Sequence, residues 1–241
     1  MPKLLIALDL ETNHHNKPRM TNGTDISIGV LDTKILEVGF IIYEQTIVNG
    51  EVVLKEVLTH QSYVYNESET VWGLAPKVVL DLHTKSGFKE AYDQFVKDCE
   101  YNSVAKETYS EKSVDMYMSA LIKTTLLEHY PTSYNEDMYL AGDLNALTLV
   151  GKNPQFDIGF VNTRFPRTAM YLDYRVFDVS LIRNALKTIG NGKLKGVSKR
   201  PSTHHAIEDC KSAMDGYKET LEVFLEKFPD TVEYFQDYKQ N

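Results

Sequence analysis

The sequence predicts an α/β protein with a mixed five-stranded sheet flanked by helices. Apolar runs with strand character dominate the first 60 residues, and helical and strand patterns then alternate along the rest of the chain. The first three strands are expected at 3–9, 36–46 and 51–60, and Asn49-Gly50 is a strong hairpin signal between the second and the third. A sheet that begins with a hairpin and continues through helices contains both antiparallel and parallel pairs.

After the third strand, the pattern predicts a loop over 61–87 and then mostly helices. Apolar residues at three- and four-residue spacing predict helices at 88–100 and 104–130. The remaining elements are strands at 138–141 and 175–178, helices at 154–163, 181–189, 204–227 and 231–238, and a basic loop at 191–200. Neither a repeat nor a change in composition divides the chain, so residues 1–241 are expected to form one domain.

Size and charge limit the partners that the chain can bind. Its 241 residues are enough for a sizeable core, and the hydrophobic (42%) and charged (25%) fractions are those of a globular protein. The net charge of −8 disfavours a broad basic surface of the kind that binds long nucleic acids. The end of a short or single-stranded polyanion is compatible with this charge, because metal ions and a few local cations can neutralise it.

Cysteine usage and the lack of a long apolar run predict an intracellular, cytoplasmic protein without membrane contact. Cys99 and Cys210 are too few for a disulfide framework and lack zinc-ligand spacing. The apolar run near the N-terminus is too short for a signal peptide or a membrane span, and it ends in acidic residues. For a virus-encoded protein, the expected compartment is the host cytoplasm.

The first strand ends in two acidic residues, Asp9 and Glu11, within DLET at 9–12. Residues i and i+2 of a strand point to the same face, so the two carboxylates repel each other unless a cation lies between them. Carboxylate oxygens are ligands that Mg²⁺ and Mn²⁺ prefer. The pair therefore indicates a divalent metal site, with a solvated strand end as the alternative. Glu37, inside the second strand, is expected at a sheet edge or in a pair and is assigned no role.

Two further acidic residues lie far along the chain in helical patterns. Asp157 stands among apolar residues in GKNPQFDIGFV at 151–161, where a loop enters a helix. His204 and Asp209 lie five positions apart in THHAIEDC at 203–210, where another helix begins. An acid favoured by the helix dipole is the alternative for Asp157, and a structural His–Asp pair is the alternative for the other segment. The presence of all three acidic segments in one chain favours a common site.

Together these segments resemble the motif set of the DEDDh 3′–5′ exonucleases, and the likeness is closest to their oligoribonuclease branch. The motif residues are Asp9 and Glu11 in DLET, Asp157 in NPQFDIGF, and His204 with Asp209 in HHAIED. Other similar segments are ILEVGFII at 35–42, HTKSG at 83–87 and YRVFDVS at 174–180. The resemblance implies a ribonuclease-H-like fold, with a nuclease site where the first strand ends.

The resemblance also implies how such a site works. Asp9, Glu11, Asp157 and Asp209 are the expected ligands of two Mg²⁺ or Mn²⁺ ions, which activate a water molecule and stabilise the leaving oxygen of a phosphodiester. His204 is the expected general base, because an imidazole titrates near neutral pH. The neighbouring His205 is the competing candidate, and the five-residue offset to Asp209 favours His204.

Seven other residues are predicted to contact the substrate, a single-stranded RNA or DNA oligonucleotide. In oligoribonucleases a Tyr-Arg pair like Tyr174-Arg175 helps to hold the 5′ phosphate and can reach the other subunit's site, which implies a homodimer. A hydroxyl at Ser180 adds a donor to the same phosphate. The other predicted contacts are Thr12, His83, Ser86 and Asn153. A plain turn that Gly87 ends is an equally good interpretation of the HTKSG segment.

Two departures from the branch leave the substrate open. Oligoribonucleases tend to carry a serine where this chain has Asn153, and the segment at 13–34 is much longer than the usual connection. These changes leave the expected metal ligands intact but weaken the expectation of a strict preference for dinucleotides. The main expectation is an exonuclease that releases nucleoside 5′-monophosphates from short strands. The alternatives are a DNA-directed exonuclease, viral or proofreading, and a non-catalytic nucleic-acid-binding protein on the same fold.

Overall fold

The sheet, together with the helices that pack on it, positions the predicted site residues. The computed structural model describes residues 3–14, 33–67, 71–73, 75–130, 147–189 and 203–227. Its strands are β1 (Lys3–Thr12), β2 (Ile35–Val48), β3 (Glu51–Tyr63), β4 (Leu147–Gly151) and β5 (Leu172–Asp178), in the order β3-β2-β1-β4-β5. The predicted α/β class with a mixed sheet is confirmed, and the sheet is compatible with a ribonuclease-H-like fold.

Strand directions bring several chain segments to one edge of the sheet. β2 pairs antiparallel with both β1 and β3, whereas β1 with β4 and β4 with β5 are parallel pairs. The ends of β1, β4 and β5 and the start of β2 therefore lie on the same side, which we call the carboxyl edge. It is marked by Glu11, Gly151, Asp178 and Glu37.

Helices cover both faces of the sheet. They are α1 (Lys77–Ser86), α2 (Phe88–Glu100), α3 (Ser103–Thr108), α4 (Glu111–His129), α5 (Pro154–Arg164), α6 (Pro166–Ala169), α7 (Val179–Ile189) and α8 (Ala206–Lys227). In the part of the chain that the structure describes, no helix combines the length and the apolar character needed to cross a bilayer.

β1 is buried on both faces, which explains its unbroken apolar run. Leu4, Ile6 and Leu8 pack in a core cluster with α4 and α5. Leu5 and Ala7 point to the opposite face and pack with α7 and α8. A central strand that is covered on both sides cannot alternate between apolar and polar residues, so the run continues until the chain reaches the carboxyl edge.

Two predicted elements need correction. The segment 61–87 is not a continuous loop, because β3 extends to Tyr63 and α1 occupies Lys77–Ser86. Gly87 (φ 77°) ends α1 in a left-handed conformation that favours glycine, and α2 begins at the next residue. The helix predicted at 104–130 is two helices, α3 and α4. The Ser110 side chain accepts a hydrogen bond from the Ser113 N–H and so starts α4 separately.

β4 is an element that the sequence pattern did not predict. The strand that was predicted at 138–141 lies outside the described residues, as do residues 15–32 of the insertion, the basic loop at 191–200 and the helix at 231–238. The other predicted strands and helices are confirmed, with bounds that differ by a few residues.

Candidate metal centre

Four acidic side chains meet at the carboxyl edge and form what we call the acidic cluster: Asp9, Glu11, Asp157 and Asp209. Asp9, Glu11 and Asp209 each place one carboxylate oxygen within 4.8 Å of those of the other two. Asp157 adjoins them, because after burial its charge is the strongest influence that raises the pKa of Asp9. The structure thus brings together the four acids that the sequence predicts as metal ligands.

β1 delivers two of these acids to the same side of the sheet. Asp9 and Glu11 continue the face of β1 that packs on α8, as their two-residue spacing requires. The pairing of β1 with β2 shifts register directly after Glu11, so the regular strand ends there. Glu11 is buried and Asp9 is partly exposed, which places the pair at the boundary between the core and a cavity.

Asp157 is held against β1 by a backbone hydrogen bond. The parallel pairing of β1 with β4 ends at Ala7, so the N–H of Leu10 has no strand partner on that side. The Asp157 Oδ1 atom accepts this hydrogen bond at 3.1 Å. A tight turn makes the contact possible, since a Cβ on Gly151 would lie 2.9 Å from the Cβ of Pro154, at the start of α5.

Asp209 lies in the first turn of α8 and organises the residues that precede the helix. Its carboxylate accepts hydrogen bonds from the Thr203 N–H at 3.2 Å and from the His204 N–H at 3.1 Å. The chain before α8 is thereby folded back over the first turn of the helix. His204 adopts a left-handed backbone conformation there, with φ of 55°, which is uncommon for a residue other than glycine.

The two adjacent histidines point to different surroundings. The Nδ1 atom of His204 lies 3.9 Å from the Glu11 Oε2 atom, and the side chain is 21% exposed. His205 instead packs against the ring of Phe88 and donates a hydrogen bond from Nε2 to the Ser86 carbonyl at 3.3 Å. Of the two candidates for a general base, the one that adjoins the acidic cluster is therefore His204.

The acidic cluster is electrostatically costly without a cation. Burial, and then repulsion by neighbouring carboxylates, raises the pKa of both Asp9 and Glu11 well above the usual range. Burial also raises the pKa of Asp157 to about 7, although the hydrogen bond from the Leu10 N–H opposes this shift. Buried carboxylate oxygens that are this close together are a donor set that fits hard divalent cations such as Mg²⁺ or Mn²⁺.

A lysine that the sequence analysis left without a role borders the acidic cluster. The Nζ atom of Lys152 lies 3.7 Å from the Asp209 Oδ1 atom and donates a hydrogen bond to the Ser212 hydroxyl at 2.7 Å. A cavity of about 120 Å³ opens beside it and is lined by Leu8, Asp9, Gly151, Lys152, Asp209, Cys210 and Ala213. A larger cavity, about 290 Å³, lies between α5 and β5 and contains none of the four acids. The smaller cavity is therefore the relevant one for chemistry at the cluster.

Three of the predicted substrate contacts lie on the β2 side of the cluster. His83 is buried, and its Nε2 atom donates a hydrogen bond to the Thr12 carbonyl at 2.9 Å. Its Nδ1 atom lies 3.9 Å from the Glu11 Oε2 atom. The Thr12 hydroxyl donates to the His14 carbonyl at 3.0 Å, and the Ser86 hydroxyl donates to the His83 carbonyl at 3.1 Å. His83 therefore supports the end of β1, whereas the Thr12 and Ser86 hydroxyls make hydrogen bonds within their own segments.

The other four predicted contacts form what we call the outer contact set: Asn153, Tyr174, Arg175 and Ser180. Tyr174 and Arg175 lie in β5, and the Arg175 guanidinium is paired with Asp173 at 2.7 Å. Asn153 is exposed and precedes α5 with φ of 62°. The Asp178 Oδ1 atom accepts hydrogen bonds from the backbone N–H groups of Asn153 (3.3 Å) and Ser180 (2.8 Å). One carboxylate thus connects the backbones of Asn153 and Ser180, where α5 and α7 begin.

Sequence reasoning gave no role to three residues that support the site: Glu37, Lys152 and Asp178. Glu37 is an acid within an apolar strand, which is the signal that it needs partners. It is buried and paired, in the internal strand β2 rather than at an edge. Lys152 is the single basic residue of the 151–161 segment, and Asp178 stands at the start of a helical pattern, as capping residues do.

The chain matches none of the models of known protein families. No curated protein matches it either. The functional proposal therefore rests on the chemistry and the geometry of the residues described above.

Proposed function

We propose that this protein is a metal-dependent 3′–5′ exonuclease that releases nucleoside 5′-monophosphates from short single-stranded RNA or DNA. The observation that carries the proposal is the convergence of Asp9, Glu11 and Asp209 within 4.8 Å, with Asp157 and His204 beside them. Acids from a strand and two separate helices meet in one buried place. A structural role for such a group is unfavourable, because each added carboxylate raises the cost of ionising the others.

The four carboxylates of the acidic cluster are proposed to hold two divalent cations. When bound, these ions supply an activated water and stabilise the charge on the leaving 3′ oxygen. The protein's part is to keep the ligand oxygens close together and to limit water around them, which the surrounding core does. Lys152 adds a positive charge at the side of Asp209, where it can also meet a substrate phosphate.

His204 is proposed to accept the proton of the attacking water. Its side chain is partly exposed beside a buried cluster, so it can contact both solvent and the reacting phosphate. The Glu11 carboxylate near Nδ1 stabilises the positive charge that the ring gains on protonation. A general base of this kind contributes about 10²–10⁴-fold to turnover.

The proposed substrate is short, since the net charge of −8 opposes broad contact with a long polyanion. The outer contact set is proposed to bind phosphate groups, and Arg175 is exposed on β5, the edge strand of the sheet. A homodimer that brings this edge to a second site is part of the proposal. We expect the enzyme to act in the cytoplasm, where Cys99 and Cys210 remain free thiols, as they are in the structure.

The test is to incubate 3′- and 5′-labelled oligonucleotides of two to 20 nucleotides with the protein and Mg²⁺ or Mn²⁺. We expect stepwise shortening from the 3′ end, which chelator abolishes. The Asp9→Ala variant is expected to be inactive, and His204→Ala is expected to lose about 10²–10⁴-fold in kcat while it still binds metal. Undiminished hydrolysis by Asp9→Ala would contradict the assignment.

The same length series, run in parallel on matched RNA and DNA, separates the alternatives. The long 13–34 segment favours a departure from the oligoribonuclease branch, and a faster rate on DNA would identify a DNA-directed exonuclease. Calorimetry with Mn²⁺ tests the non-catalytic alternative, because a non-catalytic protein on this fold is expected not to bind two divalent cations. A protein that binds neither metal nor oligonucleotide would refute the proposal as a whole.

A further inference from the structure

Glu37 is a fully buried carboxylate that the proposed chemistry does not use. It lies opposite Glu11 in the pairing of β1 with β2, and it is 0% exposed. Burying an acid is costly unless hydrogen bonds compensate for the lost water. Glu37 accepts two of them, from the Gln61 side-chain amide at 2.7 Å and from the Ala206 N–H at 3.0 Å. The second bond connects β2 to the beginning of α8.

Glu37 thus serves as a helix cap supplied from another element. Ala206 is the first residue of α8, and its N–H is one of those that the helix itself cannot satisfy. The preceding residue, His205, is not of the type that usually caps a helix, and its ring is turned toward Ser86. The Glu37 carboxylate, 169 positions earlier in the chain, accepts the hydrogen bond instead.

Gly39, two residues along the same face of β2, allows this contact. A Cβ at position 39 would lie 2.7 Å from the Cβ of Ala206 and 3.1 Å from the backbone of the same residue. The beginning of α8 therefore rests directly on β2, and any side chain at position 39 would push it away. The Cys210 thiol, one turn further along α8, donates a hydrogen bond to the Gly39 carbonyl at 3.5 Å.

The turn that these contacts fix is the one that carries His204. Its left-handed backbone (φ 55°) is unfavourable for histidine and must be imposed by surrounding contacts. Asp209 binds the N–H groups of Thr203 and His204, at the start of the turn. Glu37 binds the N–H of Ala206, at the end of the turn. The turn is therefore held at both ends, once by a proposed metal ligand and once by a residue outside the acidic cluster.

We infer that Glu37 is a positioning residue: by binding the Ala206 N–H on a helix that rests against Gly39, it fixes the turn that aims His204 at the acidic cluster. The inference rests on the proposed function in one respect, the role of His204 as the base. Glu37 itself contacts neither substrate nor metal in this scheme. Its loss should therefore lower turnover through His204 and leave substrate affinity largely intact.

A double-mutant cycle tests this coupling. Glu37→Met keeps the side-chain volume but removes both acceptor oxygens, and we expect kcat to fall about 10- to 100-fold with KM changed less than about threefold. In a His204→Ala background the same substitution should cost less than about twofold, because no positioned imidazole remains to be lost. Glu37→Gln retains one acceptor for the Ala206 N–H, so it should restore kcat to within about threefold of the unmodified protein.

Gly39→Ala is a second variant that alters the same turn, and it replaces Glu37→Met in the test if that variant does not fold. Its added Cβ displaces Ala206 without touching the carboxylate, so it should also lower kcat in a manner that depends on His204. Glu44→Ala is the matched control, since Glu44 lies on the same strand and pairs with Lys55 at the surface. The inference is overturned if Glu37→Met and Gly39→Ala reduce kcat equally with and without His204.

Amide hydrogen exchange, measured by NMR on the metal-free protein, tests the inference without relying on nuclease activity. Glu37→Met should speed exchange at Ala206 by at least about tenfold, the scale of one lost hydrogen bond, with no such change at the amides of β1. Unchanged protection of Ala206 would overturn the role of Glu37 even in an active enzyme. If the unmodified protein lacks nuclease activity but Ala206 still responds, the proposed function fails and the capping by Glu37 stands.

Discussion

The acidic cluster and the outer contact set differ in how firmly the fold holds them. The cluster carboxylates are carried by β1, α5 and α8, and all but Asp9 are buried. Each is followed or preceded by residues that pack in the two main cores. In the outer contact set, Asn153 and Ser180 lie where α5 and α7 begin, and Tyr174 and Arg175 lie in the edge strand β5. The Arg175 side chain is 71% exposed and is paired within its own strand.

This difference separates the chemistry of the site from its choice of substrate. Displacing an acidic side chain of the cluster requires the core to move. We therefore expect the geometry of the acidic cluster to stay the same whichever oligonucleotide binds. Arg175 depends on a pair within its own strand, and Asn153 and Ser180 depend on a single carboxylate, Asp178, so their positions can adapt. Substitutions in the cluster should therefore cause large losses, whereas those in the outer set should cause small and graded ones.

Among the substitutions that compare the two regions, the largest effect is expected for Asp209→Asn. The amide keeps an oxygen that can accept hydrogen bonds from the Thr203 and His204 N–H groups, so the turn should remain folded, but a charged metal ligand is lost. We expect kcat to fall by at least about 10²-fold, the scale of losing one preorganised electrostatic group, and affinity for Mn²⁺ to weaken in calorimetry. Asp215→Asn, at an exposed position of the same helix, is the control. Full turnover by Asp209→Asn would show that Asp209 is not a ligand.

A smaller effect is expected on the stability of the metal-free protein as pH changes. The pKa of Asp157 is raised to about 7, and those of Asp9 and Glu11 are raised as well, mainly by burial. Between about pH 4 and pH 7 the folded state therefore binds more protons than the unfolded state, so the free energy of unfolding must decrease as pH rises through this window. In chelator, Tm should be at least about 5 °C lower at pH 8 than at pH 5.

Adding metal, or substituting one acid, makes the measurement of Tm at the two pH values more specific. Mg²⁺ or Mn²⁺ should raise Tm at pH 8, because the folded state alone presents the assembled ligands. Asp9→Asn removes one of the repelling charges, so it should flatten the pH dependence in chelator while it weakens the response to metal. A Tm that is the same at both pH values would mean that burial and repulsion do not raise the pKa values of these acids in the folded protein, and the contrast between the two regions would disappear.

The sequence predicted the cluster well because its residues have local signals. Asp9 and Glu11 follow an apolar run that needs burial on both faces, and the two-residue spacing of a strand already puts them on one side. Asp157 and Asp209 stand in first turns of helices whose apolar patterns are clear. The convergence of these segments was implied only by the resemblance, because no local pattern relates residues that lie about 50 to 200 positions apart, and the structure brings the four side chains together.

Other elements had weaker local signals, for reasons that the structure explains. In α1 the buried pair is Val79 and His83, whereas Val78 is 60% exposed, so the apolar residues do not mark the buried face. β4 has five residues, too few for periodicity to separate a strand from a helix. The capping role of Glu37 depends on a residue 169 positions away, so the local sequence indicates that this acid needs a partner but not which residue supplies it.

The smallest effect is expected for Arg175→Ala. An exposed ion pair contributes little to folding, so Tm should change by less than about 2 °C, and kcat should stay within about twofold. KM for oligonucleotides should rise by about three- to tenfold, because one charged contact to phosphate is lost. Lysine at this position should restore only part of the affinity, since it cannot bind phosphate through a planar fork.

Arg167→Ala is the matched control for this last prediction, as Arg167 is exposed on α6 and equally charged. It should leave KM unchanged, so a rise in KM for Arg175→Ala alone identifies a specific contact rather than a general effect of net charge. A fall in kcat as large as that of Asp209→Asn would instead place Arg175 in the reacting centre. Arg175 would then be as firmly coupled to chemistry as the acidic cluster, despite its exposure.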